Sequence, residues 1–256
     1  MSKKKIVIIG AGNMGGAIAA SLRGTDYEVT VTAHTRQTLS RIHSLCPDFH
    51  VTLDNVQAVT NADIIVLAVK PYLLAEVAHE IRNHIKRGAT IISVVAAVSI
   101  DELKEMLGNH DVFRVIPNTA IRLGKSATFI AGKSEGNSIK EVEAIFNRSG
   151  KSFLIEEKDM AAVTALSSCG IAYFLRFIRA ATEGAVELGL RPGFAAEVAA
   201  ATAVGAAALV EDGGHPEAEI DKVATPGGLS IKGLNALAAN GFTTAVVAAL
   251  KASFKP

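Results

Sequence analysis

Ile6-Val7-Ile8-Ile9 runs directly into Gly10-Ala11-Gly12-Asn13-Met14-Gly15, and a helical pattern begins near Asn13. A short β-rich run, a GxGxxG turn and a helix in that order leave few folds open. Gly10 permits a tight turn, Gly12 keeps a side chain out of the path of a pyrophosphate, and Gly15 lets helix and strand approach closely. The helix start would present free N–H groups and the positive end of its dipole to a phosphate. Alone the motif is a weak signal, since a glycine-rich turn can serve packing only. A second strand candidate at Glu28–Val31 strengthens the dinucleotide reading.

The same alternation continues to about residue 155. Asp63–Val69 and Ala89–Val95 are almost continuously apolar, as expected for parallel strands covered on both faces. Val112–Ile116, Thr128–Ala131 and Ser152–Ile155 would extend the sheet, with helices over Gln37–Leu45, Tyr72–Ile85, Ile100–Leu107 and Ser138–Asn147. This pattern predicts an α/β fold, a Rossmann-type doubly wound sheet over residues 1–156. Right-handed crossovers would place its helices on both faces.

The character changes near Glu156. From Ala161 onward there are 25 alanines and no alternating run of any length, which predicts an all-helical domain over residues 157–256. Helices are expected over Lys158–Leu188, Pro192–Asp212, Leu229–Asn240 and Thr243–Ala252, with Pro192 at a position that needs no N–H. A thin alanine-rich half has a limited core alone, so dimerisation through its apolar faces is expected. Residues 194–210 could be mistaken for a membrane span, but the side chains are small and Glu197 lies inside; a helix buried between other helices or subunits is the preferred reading.

A net charge of +1 leaves no electrostatic footprint for nucleic acid. Cys46 and Cys169 are too few for a disulfide framework and fit no zinc spacing, so a reduced, cytoplasmic setting and no metal are expected. The apolar run after Lys3-Lys4-Lys5 is too short for a secretion signal.

At the end of the second strand, Thr32-Ala33-His34-Thr35-Arg36 lacks the carboxylate that commonly binds an NAD ribose. Thr35 can donate a hydrogen bond and Arg36 can pair with a 2′-phosphate, so NADPH is preferred over NADH, with NADH still usable. His34 is a candidate for the adenine end, with a surface role as the alternative. Ala68-Val69-Lys70-Pro71 closes another strand at the nucleotide edge; Pro71 holds Lys70 extended, and Lys70 reaches either phosphate or solvent. Asn55, on an expected crest loop, is a candidate ribose contact. Thr225-Pro226-Gly227-Gly228 precedes an expected helix, so its N–H groups could converge on one carboxylate; an ordinary Pro-Gly connection is the alternative.

Val69-Lys70-Pro71, Ile116-Pro117-Asn118-Thr119, Ala162–Tyr173 and Asp221–Leu234 together resemble pyrroline-5-carboxylate reductase over nearly the full length, in the same order. The resemblance implies reduction of 1-pyrroline-5-carboxylate to L-proline with NADPH or NADH, and helical domains that intertwine in homodimers able to assemble further. It places Gly10, Gly12, Asn13, Met14 and Gly15 in the coenzyme turn, Ala68, Val69, Lys70 and Pro71 beside the coenzyme, and Asn55 near the adenosine. Ala96 and Ala97 fall where the family has Ala-Gly near the nicotinamide. Asn118 and the run Thr225, Pro226, Gly227, Gly228, Leu229, Ser230 match the substrate-binding blocks. Ser230 falls on the hydroxyl linked to the ring nitrogen, and Thr225 and Ser230 are the candidate catalytic residues.

The departures are specific. The family's Ser-Gly-Ser-Gly-Pro-Ala-Tyr reads Ser167-Ser168-Cys169-Gly170-Ile171-Ala172-Tyr173, Pro-Asn-Thr-Pro ends in Ala120, and Gly-Gly-Thr-Thr reads Gly227-Gly228-Leu229-Ser230. They leave two alternatives: a related NADP-dependent cyclic-imine or β-hydroxyacid reductase, and a non-catalytic NADP-binding paralogue.

Overall fold

In the computed structural model, which describes residues 3–134 and 136–254, strands and helices alternate through the first half. The order is β1 (Lys5–Ile9), α1 (Asn13–Ser21), β2 (Glu28–Thr32), α2 (Arg36–Leu45), β3 (His50–Thr52), α3 (Asn55–Val59), β4 (Ile64–Leu67), α4 (Leu74–Ile81), β5 (Thr90–Ser93), α5 (Ile100–Leu107), β6 (Asp111–Ile116), β7 (Ser126–Gly132), α6 (Ser138–Asn147) and β8 (Gly150–Leu154). One eight-stranded sheet results, ordered β3-β2-β1-β4-β5-β6-β7-β8.

The two-residue period of β1 explains why both faces are covered. Ile6 and Ile8 join a core with Ile18 of α1, Ile42 of α2 and Phe146 of α6, while Val7 and Ile9 join a second core with Leu74 and Ile81 of α4 and Leu103 of α5. Successive strand residues point to opposite faces, so a strand buried on both must be apolar throughout. The expected doubly wound architecture is present. The sheet is mostly parallel, but β7 runs antiparallel to β6. Residues 117–125 between them are too few for the crossover of about a dozen residues that a parallel neighbour needs. The 3₁₀ turn Thr119–Leu123 ends instead on Gly124, whose φ of 68° reverses the chain.

Two small elements escape a pattern search. β3 has three residues and no buried position, so it shows no apolar alternation. It pairs in parallel with β2 through Thr30–Thr32. Asn55, expected in a loop, is the first residue of α3, capped by the Asp54 side chain accepting from Gln57 N–H.

The second half is helical: α7 (Met160–Val163), a π-helical stretch Thr164–Cys169, α8 (Gly170–Glu187), α9 (Pro192–Glu211), α10 (Pro216–Val223), α11 (Leu229–Ala239) and α12 (Phe242–Ser253). The helix expected over Lys158–Leu188 is therefore interrupted by six π-helical residues. By compactness the chain divides into Met1–Ser168 and Cys169–Pro256, twelve residues beyond the boundary expected from composition. Two features tie the intervening residues to the first unit. Met160 and Ala165 are buried, and the Glu157 carboxylate accepts from Ile100 N–H at 2.8 Å and Arg114 Nη1 at 3.4 Å. Composition reports where helix begins; packing decides which unit holds it.

Within the helical unit the Tyr173 hydroxyl of α8 hydrogen-bonds Ser253 of α12. Few of the unit's side chains are buried, and Phe174, Leu188, Phe194, Val204 and Leu209 are exposed. By length and composition alone, two segments could cross a membrane, Glu157–Glu187 and Pro192–Glu211, and the bent pair α11–α12 could make a third.

Candidate active site

The C-terminal ends of β1, β2, β4 and β5 form one crest, and the strand order reverses direction between β1 and β4, where doubly wound sheets bind ligands. The glycine turn sits at that point. Gly10 has φ of 102°, and its N–H donates to Thr32 O at 3.2 Å. A Cβ at Gly10 would lie 2.7 Å from Ala68 O, and one at Gly15 would lie 1.9 Å from Gly10 O and 3.0 Å from the Ala68 Cβ. Gly10 and Gly15 are thus required by close approach, and they bring the turn against the Ala68–Pro71 segment. Gly12 differs. A Cβ there meets no atom within 4 Å, and Gly12 is the N-cap of α1 with no side chain closing the helix end. The space where that Cβ would stand is open at the start of α1, where an anion could take up the N–H groups that the helix leaves free. The residues present fit a dinucleotide pyrophosphate.

The adenosine-side candidates cluster at the ends of β2 and β3. Thr35 is the N-cap of α2, its hydroxyl accepting from Thr38 N–H at 3.2 Å; His34 and Arg36 flank it, exposed. Asn55 accepts from the buried Thr32 hydroxyl at 2.7 Å and donates to the Glu80 carboxylate at 2.8 Å. Glu80, an acid beside the ribose candidate, carries no sequence motif and is found only by the fold. Lys70 is extended, with φ of −68° and ψ of 146°, as Pro71 at the first position of the following 3₁₀ turn requires.

Past β5 the chain turns through Ala96 and Ala97. Ala97 has φ of 59°, left-handed geometry that glycine adopts without cost. Ala97→Gly is expected to raise stability by about 1 kcal/mol in urea unfolding, the reverse of the usual penalty for alanine at positive φ.

Asn118, at the end of β6, is buried. Its Oδ1 accepts from Ala120 N–H at 3.0 Å, its Nδ2 donates to Ser167 Oγ at 3.2 Å, and its own N–H donates to Ser126 Oγ at 3.1 Å. Ser167 lies in the π-helical stretch, a geometry common at functional sites. Nothing in the sequence around Ser167 marks it as a partner of Asn118. Only the fold shows it held against Asn118.

In the helical unit, Thr225-Pro226-Gly227-Gly228 is a tight turn. Gly228 N–H donates to Thr225 O at 3.0 Å, Pro226 precedes Gly227, and Gly227 has φ of 70°, the type II pattern. Gly228 is the N-cap of α11, again without a side-chain cap, and a Cβ there would lie 2.6 Å from Thr225 Oγ1. The Thr225 hydroxyl therefore sits over the helix start. Leu229 and Ser230, the first two residues of α11, are exposed. This turn is a second uncapped helix start suited to a carboxylate.

Burial pushes the Cys46 thiol up at the far end of α2. Donors from Ser99 hold Glu102 below the usual carboxylate range within the capping box of α5. Among the described residues no group of three or more His, Cys, Asp or Glu is placed to hold a metal ion.

Comparison with known proteins gives a consistent result. Residues 157–256 match the family described as pyrroline-5-carboxylate reductase dimerisation, and residues 5–97 match NADP oxidoreductase, coenzyme F420-dependent. Pyrroline-5-carboxylate reductase 2 of Dictyostelium discoideum is 35% identical, covering 96% of this chain and 89% of that protein. A pyrroline-5-carboxylate reductase structure from Coxiella burnetii superposes with a TM-score of 0.91 at 27% identity, covering 99% of this chain and 97% of that one. Plasmodium falciparum pyrroline carboxylate reductase, solved with NADP bound, gives 0.86 at 28% identity, covering 99% and 96%. The exposed apolar faces of the helical half fall within the matched dimerisation domain, where a second copy would cover them. By sequence and by fold, this chain belongs to the pyrroline-5-carboxylate reductase family.

Proposed function

We propose that this chain reduces 1-pyrroline-5-carboxylate to L-proline with NADPH, and with NADH as the weaker donor. Residues 1–156 serve as the coenzyme domain and residues 157–256 as the helical substrate and dimerisation domain. The reading is carried by the open space over Gly12 at an uncapped helix start, in a chain of this family. When bound, the reduced nicotinamide supplies a hydride to the C=N carbon.

The protein's own groups orient and exclude water. The N–H groups of Asn13, Met14 and Gly15 hold the pyrophosphate, Lys70 and Pro71 line the coenzyme at the end of β4, and Ala96 and Ala97 lie toward the nicotinamide. Thr35, Arg36, His34 and Asn55 meet the adenosine. Thr225 and the N–H groups at Gly228, Leu229 and Ser230 receive the substrate carboxylate. The Ser230 hydroxyl hydrogen-bonds the ring nitrogen, whose protonation makes the C=N carbon electrophilic. Asn118 fixes Ser167 in the substrate wall. The working form is a homodimer, whose dimers can assemble further, in the cytoplasm.

The test is an assay of purified protein with pyrroline-5-carboxylate and pyrroline-2-carboxylate, each with NADPH and NADH. Turnover of the first substrate supports the proposal. Turnover of the second alone would assign a related imine reductase, and NADPH binding without turnover a non-catalytic paralogue. Ser230→Ala is expected to lower kcat roughly 10- to 100-fold, the lower end of proton-transfer effects, because substrate protonation and water share the role. Unchanged kcat would remove Ser230 from the mechanism.

A further inference from the structure

Arg41 lies in the middle of α2, outside every motif, and its guanidinium closes on the glycine turn. Nη2 donates to Ala11 O at 2.6 Å, a charge-assisted bond to a residue only 2% exposed. The same nitrogen would lie 3.8 Å from a Cβ at Gly16, so the guanidinium rests against the first turn of α1. Ala11 stands between the two glycines of the turn, and no peptide bond among the described residues is cis. In a trans peptide the C=O and the following N–H point in opposite directions. Drawing Ala11 O toward α2 therefore turns the Gly12 N–H away from α2. Gly12 has no Cβ, which leaves its backbone freer than that of any other residue type, and the Arg41 bond holds the Ala11 carbonyl on the α2 side.

We infer that Arg41 is a positioning residue for the coenzyme pyrophosphate, acting through the Ala11–Gly12 peptide rather than by touching the coenzyme. The inference rests on the coenzyme reading of the glycine turn. A peptide free to rotate presents its donor only part of the time, and affinity falls by that fraction. The effect is therefore shared by every ligand carrying the pyrophosphate and independent of the 2′-phosphate.

The experiment compares full-length protein with Arg41→Met and Arg41→Lys, measuring binding of NADPH, NADH, ADP-ribose and adenosine 2′,5′-bisphosphate by calorimetry. Arg41→Met should weaken NADPH, NADH and ADP-ribose by the same factor, roughly tenfold. The bisphosphate, which carries only the adenosine-side phosphate of the pyrophosphate, should weaken by less than these three. The KM for coenzyme should rise while kcat at saturating coenzyme moves by less than about twofold, and Arg41→Lys should recover part of the loss. A loss confined to NADPH and the bisphosphate would overturn the inference in favour of a direct 2′-phosphate contact. A lowered Tm with all four affinities intact would reduce Arg41 to a structural role. Should Arg41→Met not fold, the same ligand pattern in Arg41→Lys decides. Failure of the unmodified protein to bind NADPH, NADH and ADP-ribose would remove the coenzyme site itself.

Discussion

Gly12→Ala is expected to leave the fold standing and to abolish coenzyme binding. The added methyl meets no atom within 4 Å, and the backbone at Gly12, with φ of −67° and ψ of −164°, suits an L-residue. Unfolding stability should therefore stay within about 1 kcal/mol of the parent, helped slightly by a less flexible unfolded chain. The space the methyl takes is the space a phosphate needs to come within about 3 Å of the N–H groups that begin α1. Affinity for NADPH should fall at least about 100-fold, or about 2.7 kcal/mol. Calorimetry and thermal unfolding on the same sample check both halves. Retained tight binding in a folded variant would mean that the pyrophosphate does not cross Gly12.

Gly15→Ala, three residues on, should do the opposite. Its methyl would lie 1.9 Å from Gly10 O, closer than any nonbonded contact, and 3.0 Å from the Ala68 Cβ. Neither neighbour can yield without moving a backbone: Gly10 closes the turn after β1, and Ala68 N–H is bonded to Ile9 O at 2.8 Å. Helix α1 must lift from β1 and β4, opening the core that holds Ile18 and Ala19. A destabilisation of about 3 kcal/mol or more is expected in urea unfolding, with coenzyme binding lost as a consequence. Near-parental stability would show that the helix can retreat cheaply, and the close-packing role of Gly15 would fall. Two glycines of one motif thus separate by measurement, one serving the ligand and the other the fold.

The motif's geometry was legible because each glycine acts over a few residues. The positive φ of Gly10 and the crowding at Gly15 follow from a strand that must turn at once into a helix packed against it. The turn at Thr225–Gly228 was legible for the same reason, since Pro followed by Gly favours a type II bend wherever it occurs. Asn55 shows the limit. Its position near the ends of β2 and β3 could be expected, but its bonds to Thr32 and Glu80 join residues 23 and 25 positions away. No local pattern encodes that pairing. Arg41 and Ser167 were invisible for the same reason: one reaches back 30 residues to Ala11, the other 49 to Asn118.

From the amino-acid order alone came the two-part organisation, the succession of strands and helices over the first 155 residues, the glycine turn after the first strand and the segments shared with the family. All of these are written in short-range periodicity, in turn residues or in matched segments. The tertiary structure alone decided that β7 runs antiparallel, that β3 exists, that the long helix expected after Glu156 breaks into a π-helical stretch, and that its first turns belong to the sheet-bearing unit. Those outcomes depend on which distant surfaces meet. A three-residue edge strand or a single side chain laid across a turn has too few local constraints to declare itself before the chain has closed around it.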